Sequence, residues 1–501
     1  MHALYSIADL RAVEHIAAEQ LPPGALMRRA GKEGFDAALA LLHAPLAHAR
    51  VLVLAGPGNN GGDALEIAAH LAHAGVQVVV WLALSNGVTS DERKHALERA
   101  QDSAAQFVAT FDAAYAIGGW TLVIDGLLGI GATRALSGEL RHAVEQVNRL
   151  DCPILALDVP TGLDADTGSI NGPINGADGI AVRASHTITF IGDKPGLHTN
   201  DGRDYAGIVR VARLDIEARH FEAASMHLND PRHFARHVKT RRQNSHKGSY
   251  GNVAVIGGAH GMTGAPILSA RSALLTGAGR VYIAFPDQAP AYDSAHPELM
   301  CRLADGFDFN SAALVAGPGL GTSHRAHELI LAAIGSGSPL LLDADALNLV
   351  AGEPELQTAL ALRGKSTLLT PHPLEAARLL GIGIAEVQAD RLKAARQLAE
   401  QLDVIVVLKG SGTVIARPDG HAVINTTGNP ALATAGTGDV LAGLCGSLLA
   451  QGWPAWEAAL GAVWLHGKAA DDLVAGGAGP IGLTAGELVP AIRTAFNRLA
   501  S

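Results

Sequence analysis

Residues 428–443 read GNPALATAGTGDVLAG, a small-residue run ending in Gly436, Thr437, Gly438 and Asp439 before an apolar segment from Val440 to Trp456. Glycines here free several backbone amides at the start of a helix, where unpaired N–H dipoles form an anion site. Asp439 then has two readings. One is a helix cap. The other is a base that takes a proton from a hydroxyl about to attack phosphorus, since a carboxylate facing a phosphate is otherwise repelled by it.

The first half of the chain offers a second polar group. The apolar run Arg50–Ala55 leads into GPGNNGGD, which carries Asn59, Asn60, Gly61, Gly62 and Asp63. It is not the GxGxxG fingerprint of dinucleotide oxidoreductases, and without a Lys it is not a P-loop. It offers two amides and a carboxylate on a backbone free to approach a ligand. Trp120–Ile124 runs into DGLLGIG (125–131), and Pro153–Leu157 into DVPTGLD (158–164). A single Asp after a strand is commonly a cap. Three carboxylates with Asn amides and a Thr hydroxyl on one rim, and no His or Cys, suit a hard cation and not zinc.

In the second half, Asn252–Ile256 opens into GGAHGMTGAP, Ala312–Ala316 into GPGLG, and Pro339–Leu342 into Asp343 and Asp345. Ser366–Leu369 leads to TPHPLE and Val404–Leu408 to Lys409 and the glycine turn GSGT. A Lys leaving an apolar strand fits a phosphate clamp, because a buried ammonium needs an anion; a Lys snorkelling to the surface is the other reading. His372, rigid between two prolines, reads more readily as structural than as catalytic. Asp343 and Asp345 read as turn caps.

These residues must be carried by alternating strands and helices. Apolar spacing predicts amphipathic helices over Ile7–Ala18 and Leu26–Leu42, then a helix over Ala64–Ala74 and a strand over Val76–Leu84. Strands continue through His186–Ile191 and Gly207–Leu214. The rhythm lapses over Asp215–Asp230, which places a boundary near residues 218–228 and predicts domains over 1–218 and 228–501. Arg232–Lys247 reads mainly as a solvated basic linker. The turn at 257–266 opens a helix through Ala278, and Val440–Trp456, which holds glycines and Pro454, reads as a buried helix and not a membrane span. The glycine loops of the two halves differ, so the architectures are related without internal duplication.

With 501 residues, two or three domains are expected. The chain is 48% hydrophobic and 17% charged, with 58 glycines, as in an α/β protein with many tight turns. A net charge of -10 argues against nucleic acid or an anionic membrane as partner. Cys152, Cys301 and Cys445 form no CxxC pair and suit a reducing compartment. The N-terminus has no apolar signal core, so a soluble cytoplasmic protein is expected.

The motifs NNGGD, DGLLGIG and DVPTGLD, with LMRRAG at 26–31, resemble the NAD(P)HX epimerase domain. That resemblance implies exchange of the two epimers of hydrated NADH or NADPH. It puts the hydrated nucleotide against Asn59–Asp63, Asp158 and the loop of Gly129, Ile130, Gly131, Ala132, Thr133, Arg134 and Ala135. It puts potassium on Asn60, Asp125 and Thr161, with Thr161 standing where Ser is frequent and Ala64 where Gly is common. Asp158 is the expected acid/base residue.

HKGSYG, TGAP, GPGLG, LDADALN, TPHPLE, LKGSGT and NPALATAGTGD, in order over 246–439, resemble the ADP- or ATP-dependent NAD(P)H-hydrate dehydratases of the ribokinase-like fold. The fold implied is therefore α/β, with two doubly wound three-layer domains, the N-terminal one Rossmann-like and the C-terminal one ribokinase-like. By the same resemblance Ala265, Gly319 or Gly321, His372 and Asp439 contact the hydrated nucleotide. Lys409, Gly410, Ser411, Gly412, Thr413 and Gly438 hold the adenine nucleotide, with Mg²⁺ on its phosphates. A homo-oligomer is expected by the same analogy. Two rivals stay open: a vitamin or sugar kinase with an accessory domain, which would release a stable phosphoester, and a first domain that only senses nucleotide.

Overall fold

The structure, a computed structural model, describes residues 2–43, 45–83, 90–172 and 178–500. The chain forms two compact units, Ala3–Met226 and His227–Ser501.

In the first unit seven parallel strands are β1 (Arg50–Ala55), β2 (Gln77–Leu82), β3 (Gln106–Val108), β4 (Leu122–Gly126), β5 (Ile154–Leu157), β6 (His186–Phe190) and β7 (Ile208–Ala212). Their order is β3-β2-β1-β4-β5-β6-β7. The end of the strand expected over Val76–Leu84 includes Leu84, which lies outside the described residues. The continuous apolar run in β1 has a direct cause. Val51 and Val53 enter one core with the helices Ile7–Gln20, Ala25–Leu41 and Asn59–His73. Leu52 and Leu54 enter a second core with Trp81 and Phe111 on the other face. A strand covered on both sides has no polar face to alternate with. The strand order reverses between β1 and β4, and ligands in such sheets bind beyond the strand ends at that reversal.

The expected loop at Asn59–Asp63 is a correction. These residues are the opening of the helix Asn59–His73, whose N-cap is Gly58. The glycines serve packing. A Cβ at Gly61 would sit 2.0 Å from the Gly56 carbonyl oxygen, and one at Gly62 2.5 Å from Met27 Cε. The helix can therefore start flush against the end of β1.

The second unit holds β8 (Asn252–Ile256), β9 (Arg280–Phe285), β10 (Met300–Leu303), β11 (Ala313–Ala316), β12 (Leu340–Leu342), β13 (Thr367–Leu369) and β14 (Ile405–Leu408). These run parallel in the order β10-β9-β8-β11-β12-β13-β14. Two antiparallel strands, β15 (Val414–Ala416) and β16 (Ala422–Ile424), extend the β14 side. Both units are doubly wound α/β layers.

The segment Val440–Trp456 is two helices and not one. Thr437–Ala450 ends near Gly452, which takes φ 82°, and Pro454 caps the next helix, Ala455–Ala475. Glycine admits the left-handed turn and proline cannot continue the hydrogen-bond ladder. The first of these helices lies against the helix Gly264–Leu275, where a Cβ at Gly443 would meet the Ser269 carbonyl oxygen at 1.9 Å. Ser272 Oγ also donates to the Val440 carbonyl at 2.6 Å.

Candidate functional sites

In the first unit a cleft of about 710 Å³ opens where β1, β4, β5 and β6 end. Asn59, Asn60, Asp63, Gly129, Ile130, Gly131, Ala132 and Asp158 line it. Gly61 and Gly62 are buried in helix packing, and Thr133, Arg134 and Ala135 lie beyond the cleft wall, the first two exposed. The structure adds Glu14 and Lys194 to the lining, neither singled out in the sequence. A sequence signal for Lys194 existed: like Lys409, it stands just past an apolar strand end beside a glycine, Gly192 here and Gly410 there.

Behind this cleft, Asp125 and Thr161 are fully buried. Thr161 donates from its backbone N–H to Asp125 Oδ2 at 2.8 Å and from Oγ1 to Oδ1 at 2.7 Å. Burial nonetheless pushes the Asp125 carboxyl up to about 6 against those hydrogen bonds. Asn60 Nδ2 donates to the Leu128 carbonyl at 3.1 Å, while its Oδ1 is buried with no hydrogen-bond partner. Buried amide oxygens are rarely left so. A desolvated carboxylate, an orphaned amide oxygen and a hydroxyl form an all-oxygen set that fits a hard cation.

Asp158 sits at φ 66°, a left-handed conformation uncommon for a residue with a Cβ. Its carboxylate pairs with buried Lys194 Nζ at 2.7 Å. Two further acids face it. Burial first, then the charge of Asp158, raises Glu14 against Arg11 and Lys194, while burial with the charges of Asp158, Glu14 and Glu66 raises Asp63 well above the usual carboxylate range.

In the second unit the polar residues gather beyond the ends of β12, β13 and β14. Gly436, at φ 88°, is the N-cap of the helix Thr437–Ala450, and no side chain caps that end. Asp439 is therefore not the cap. It stands two residues inside the helix and is half-buried. Burial, with the charges of Asp343 and Asp345 acting against Lys409, raises its carboxyl to about 6.

Lys409 Nζ bonds Asp343 Oδ1 at 2.7 Å and lies 4.0 Å from Glu375 Oε2. Burial alone would lower this ammonium, but Asp343, Glu375 and Asp439 together hold it above its ordinary value. Asp343, expected as a turn cap, is thus the buried partner of the lysine. Asp345 accepts from the Gly321 N–H at 2.8 Å, closer to its expected role. A Cβ at Gly438 would lie 3.5 Å from Lys409 Nζ and 4.0 Å from Asp343 Oδ2, so Gly438 leaves the helix mouth open beside the lysine.

His372 is the N-cap of the helix Pro373–Leu380. Its Nδ1 accepts from the Leu374 and Glu375 N–H groups at 3.1 and 3.3 Å. Burial lowers its pKa, and the neutral ring can accept at Nδ1 only if Nε2 carries the proton. Nε2 lies 3.3 Å from Glu375 Oε1. Burial raises Glu375 to about 7.

Gly319 closes the turn after β11, its carbonyl accepting from the Gly258 and Ala259 N–H groups at 2.9 and 2.8 Å. Ala265 lies in the first turn of the helix Gly264–Leu275. After Lys409, Gly410 takes φ 141° against the guanidinium of buried Arg391, 2.8 Å from where a Cβ would be. Ser411 and Gly412 complete the turn into β15, and Thr413 Oγ1 donates to the Gly410 carbonyl at 3.0 Å.

Known proteins are similar across both units. The family described as NAD(P)H-hydrate dehydratase matches residues 253–492, and that described as YjeF-related protein N-terminus matches 23–196. The bifunctional NAD(P)H-hydrate repair enzyme of Coxiella burnetii is 36% identical over 99% of this chain and 100% of its own. The ADP-dependent (S)-NAD(P)H-hydrate dehydratase of Neisseria meningitidis is 46% identical over 52% of this chain and 90% of its own. A solved ADP/ATP-dependent NAD(P)H-hydrate dehydratase from Bacillus subtilis, co-crystallised with ATP/Mg²⁺, is 30% identical over 54% of this chain and 97% of that chain, with a TM-score of 0.45. With its two units matched in order and a relative aligned end to end, this chain belongs to the bifunctional NAD(P)H-hydrate repair enzymes.

Proposed function

We propose that the first unit exchanges the R and S epimers of NADHX and NADPHX, and that the second dehydrates the S epimer to NADH or NADPH with ADP or ATP. The division follows the chain, with the epimerase over 1–218 and the dehydratase over 228–501. The observation that carries the reading is the convergence of Asp439, Lys409, Asp343 and Glu375 on an uncapped, glycine-opened helix mouth.

Hydroxide leaves an uncharged ring poorly. Asp439 takes the proton of the substrate hydroxyl as its oxygen attacks the terminal phosphorus of the nucleotide, and the bond to the departing nucleotide breaks. Amides at Gly436–Gly438 and the Lys409 ammonium face the charge on the phosphoryl in transit. The ring nitrogen lone pair then expels phosphate, and a proton leaves the neighbouring ring carbon to restore the dihydronicotinamide. Ala265, Gly319, Gly321 and His372 shape the nicotinamide side. Lys409, Gly410, Ser411, Gly412, Thr413 and Gly438 hold the adenine nucleotide.

Among the described residues no three His, Cys, Asp or Glu side chains are grouped to hold a metal ion by themselves. Mg²⁺ would accompany the nucleotide phosphates, where it would neutralise charge. Asn60, Asp125 and Thr161 would hold potassium, which would satisfy the orphaned amide oxygen and the buried carboxylate.

In the epimerase, inversion requires a bond from the hydroxyl-bearing carbon to oxygen or nitrogen to open and close on the other face. Asp158 exchanges the hydroxyl proton in that cycle. Asn59, Asn60, Asp63 and the residues from Gly129 to Ala132 hold the nucleotide. The working protein is a cytoplasmic homo-oligomer, which light scattering of the purified chain checks.

Mixed NADHX epimers with ADP and Mg²⁺ give the test. Complete return of reduced-nicotinamide absorbance with release of inorganic phosphate supports both activities. A stable phosphoester product instead points to a kinase and sinks the dehydratase reading.

A further inference from the structure

Lys194 is an unusual feature of the cleft in the first unit. It is 1% exposed, yet it carries an ammonium. Its Nζ lies 2.7 Å from Asp158 Oδ1, 2.6 Å from Thr189 Oγ1, and 3.2 Å from each of the carbonyls of Phe190 and Gly192. Four acceptors thus surround three N–H donors, and no proton of Lys194 is left over for a ligand. The Phe190 N–H also donates to Asp158 Oδ1, at 3.3 Å. One carboxylate oxygen is therefore gripped from two sides. The other, Oδ2, is turned to Gly129 on the substrate loop, 3.4 Å from where a Cβ of that residue would be.

Resting on the epimerase reading above, we propose that Lys194 is the positioning residue of epimerisation. It holds Asp158 in its left-handed backbone conformation, with Oδ2 presented to the substrate hydroxyl. The step it serves is a single proton exchange. The substrate O–H bond breaks as the Asp158 Oδ2–H bond forms, and the proton returns when the ring carbon is re-closed. A lysine in a pocket for a carbinolamine has an obvious alternative role, attack on an open-chain aldehyde to give a Schiff base. The geometry is against it, because an ammonium enclosed by four acceptors has no free lone pair.

The charged groups that face Asp158 are Lys194, Glu14 and Arg11 from the helix Ile7–Gln20, and Asp63 from the helix Asn59–His73. Glu92 of the helix Asp91–Gln101 also lines the cleft. Lys194 is the cation in direct contact with the carboxylate, so its loss removes one of the two grips on Oδ1 and leaves Asp158 facing Glu14 and Asp63.

The test uses the full chain, whose dehydratase unit reports folding in the same sample. In Lys194→Met, epimerisation kcat falls about 10²-fold or more, as for a displaced acid/base group. The KM for NADHX stays within about twofold, as expected when binding contacts are untouched. Thr189→Val, which removes one acceptor and keeps the charge, gives a smaller loss of kcat. Dehydration of purified S-NADHX is unchanged in both. Borohydride added during turnover leaves Lys194 unmodified by mass spectrometry.

A raised KM with unchanged kcat, or a reduced adduct on Lys194, overturns the proposal. If Lys194→Met does not fold, full wild-type kcat in Thr189→Val does the same. Absence of epimerisation in the wild-type chain is a different failure, that of the epimerase reading itself.

Discussion

At the scale of single residues, both sites place a carboxylate near a lysine, buried for Lys194 and half-buried for Lys409, and the surroundings set each group's use. Asp439 is raised to about 6 by burial and by Asp343, with Lys409 opposing. A base must be ionised to work, so kcat for dehydration falls as pH drops below about 6 and is flat above it. In Lys409→Met the opposing charge is gone, so that limb moves to higher pH; an unmoved limb shows that the two groups do not interact. Asp439→Asn is expected to lower dehydration by about 10²- to 10⁴-fold, the usual worth of a positioned base. It leaves epimerisation intact, and single-turnover phosphate release measures the loss. For the first unit, the proposed potassium site predicts that replacing K⁺ by a large organic cation slows epimerisation, because so large an ion would not fit between the buried Asn60 oxygen and Asp125. Equal rates in the two salts remove the ion from the account.

At the scale of elements, helix starts are seated by glycines that leave no room for a Cβ. Gly61→Ala should raise helix propensity by about 1 kcal/mol. Its Cβ, however, would sit 2.0 Å from the Gly56 carbonyl oxygen, a backbone atom that cannot swing away. Overpacking of this kind costs about 1–3 kcal/mol or more, so the clash wins. The variant is expected to unfold at lower urea in its first unit, with epimerisation lost and dehydration kept. Gly443→Ala separates the helices Thr437–Ala450 and Gly264–Leu275 in the same way, at Ser269. Asp439 and Ala265 open those two helices, so dehydration declines without any change of a reacting group.

At the scale of the whole molecule, two activities on one chain give a result neither unit gives alone. A stereospecific dehydratase stops when the S epimer is exhausted. With ADP present, the wild-type chain therefore converts pure R-NADHX fully, and Asp158→Asn leaves R-NADHX behind while still consuming S. Adding the Asp439→Asn chain, whose first unit is intact, restores full conversion in trans. Chiral chromatography of the residual substrate measures both. Among the described residues no helix is long and apolar enough to cross a membrane.

The chain order of strands and helices was legible in the sequence because buried parallel strands must be apolar throughout and their polar residues can collect only at the ends. The motifs 125–131, 158–164 and 370–375 follow from that rule, and β1 and β8 occupy the expected residues. What the sequence could not fix depends on atoms far apart in the chain. Whether Asn59–Asp63 is loop or helix is decided by the fit of Gly61 against Gly56, and Gly62 against Met27. Whether Val440–Trp456 is one helix or two turns on where Gly452 and Pro454 fall in the packed layer. The partner of Lys409 is Asp343, 66 residues away, and that of Asp158 is Lys194. Local composition sets which groups reach a sheet edge, but the tertiary fold alone sets how far they stand from one another and from water, and those two distances determine which carboxylate holds a proton.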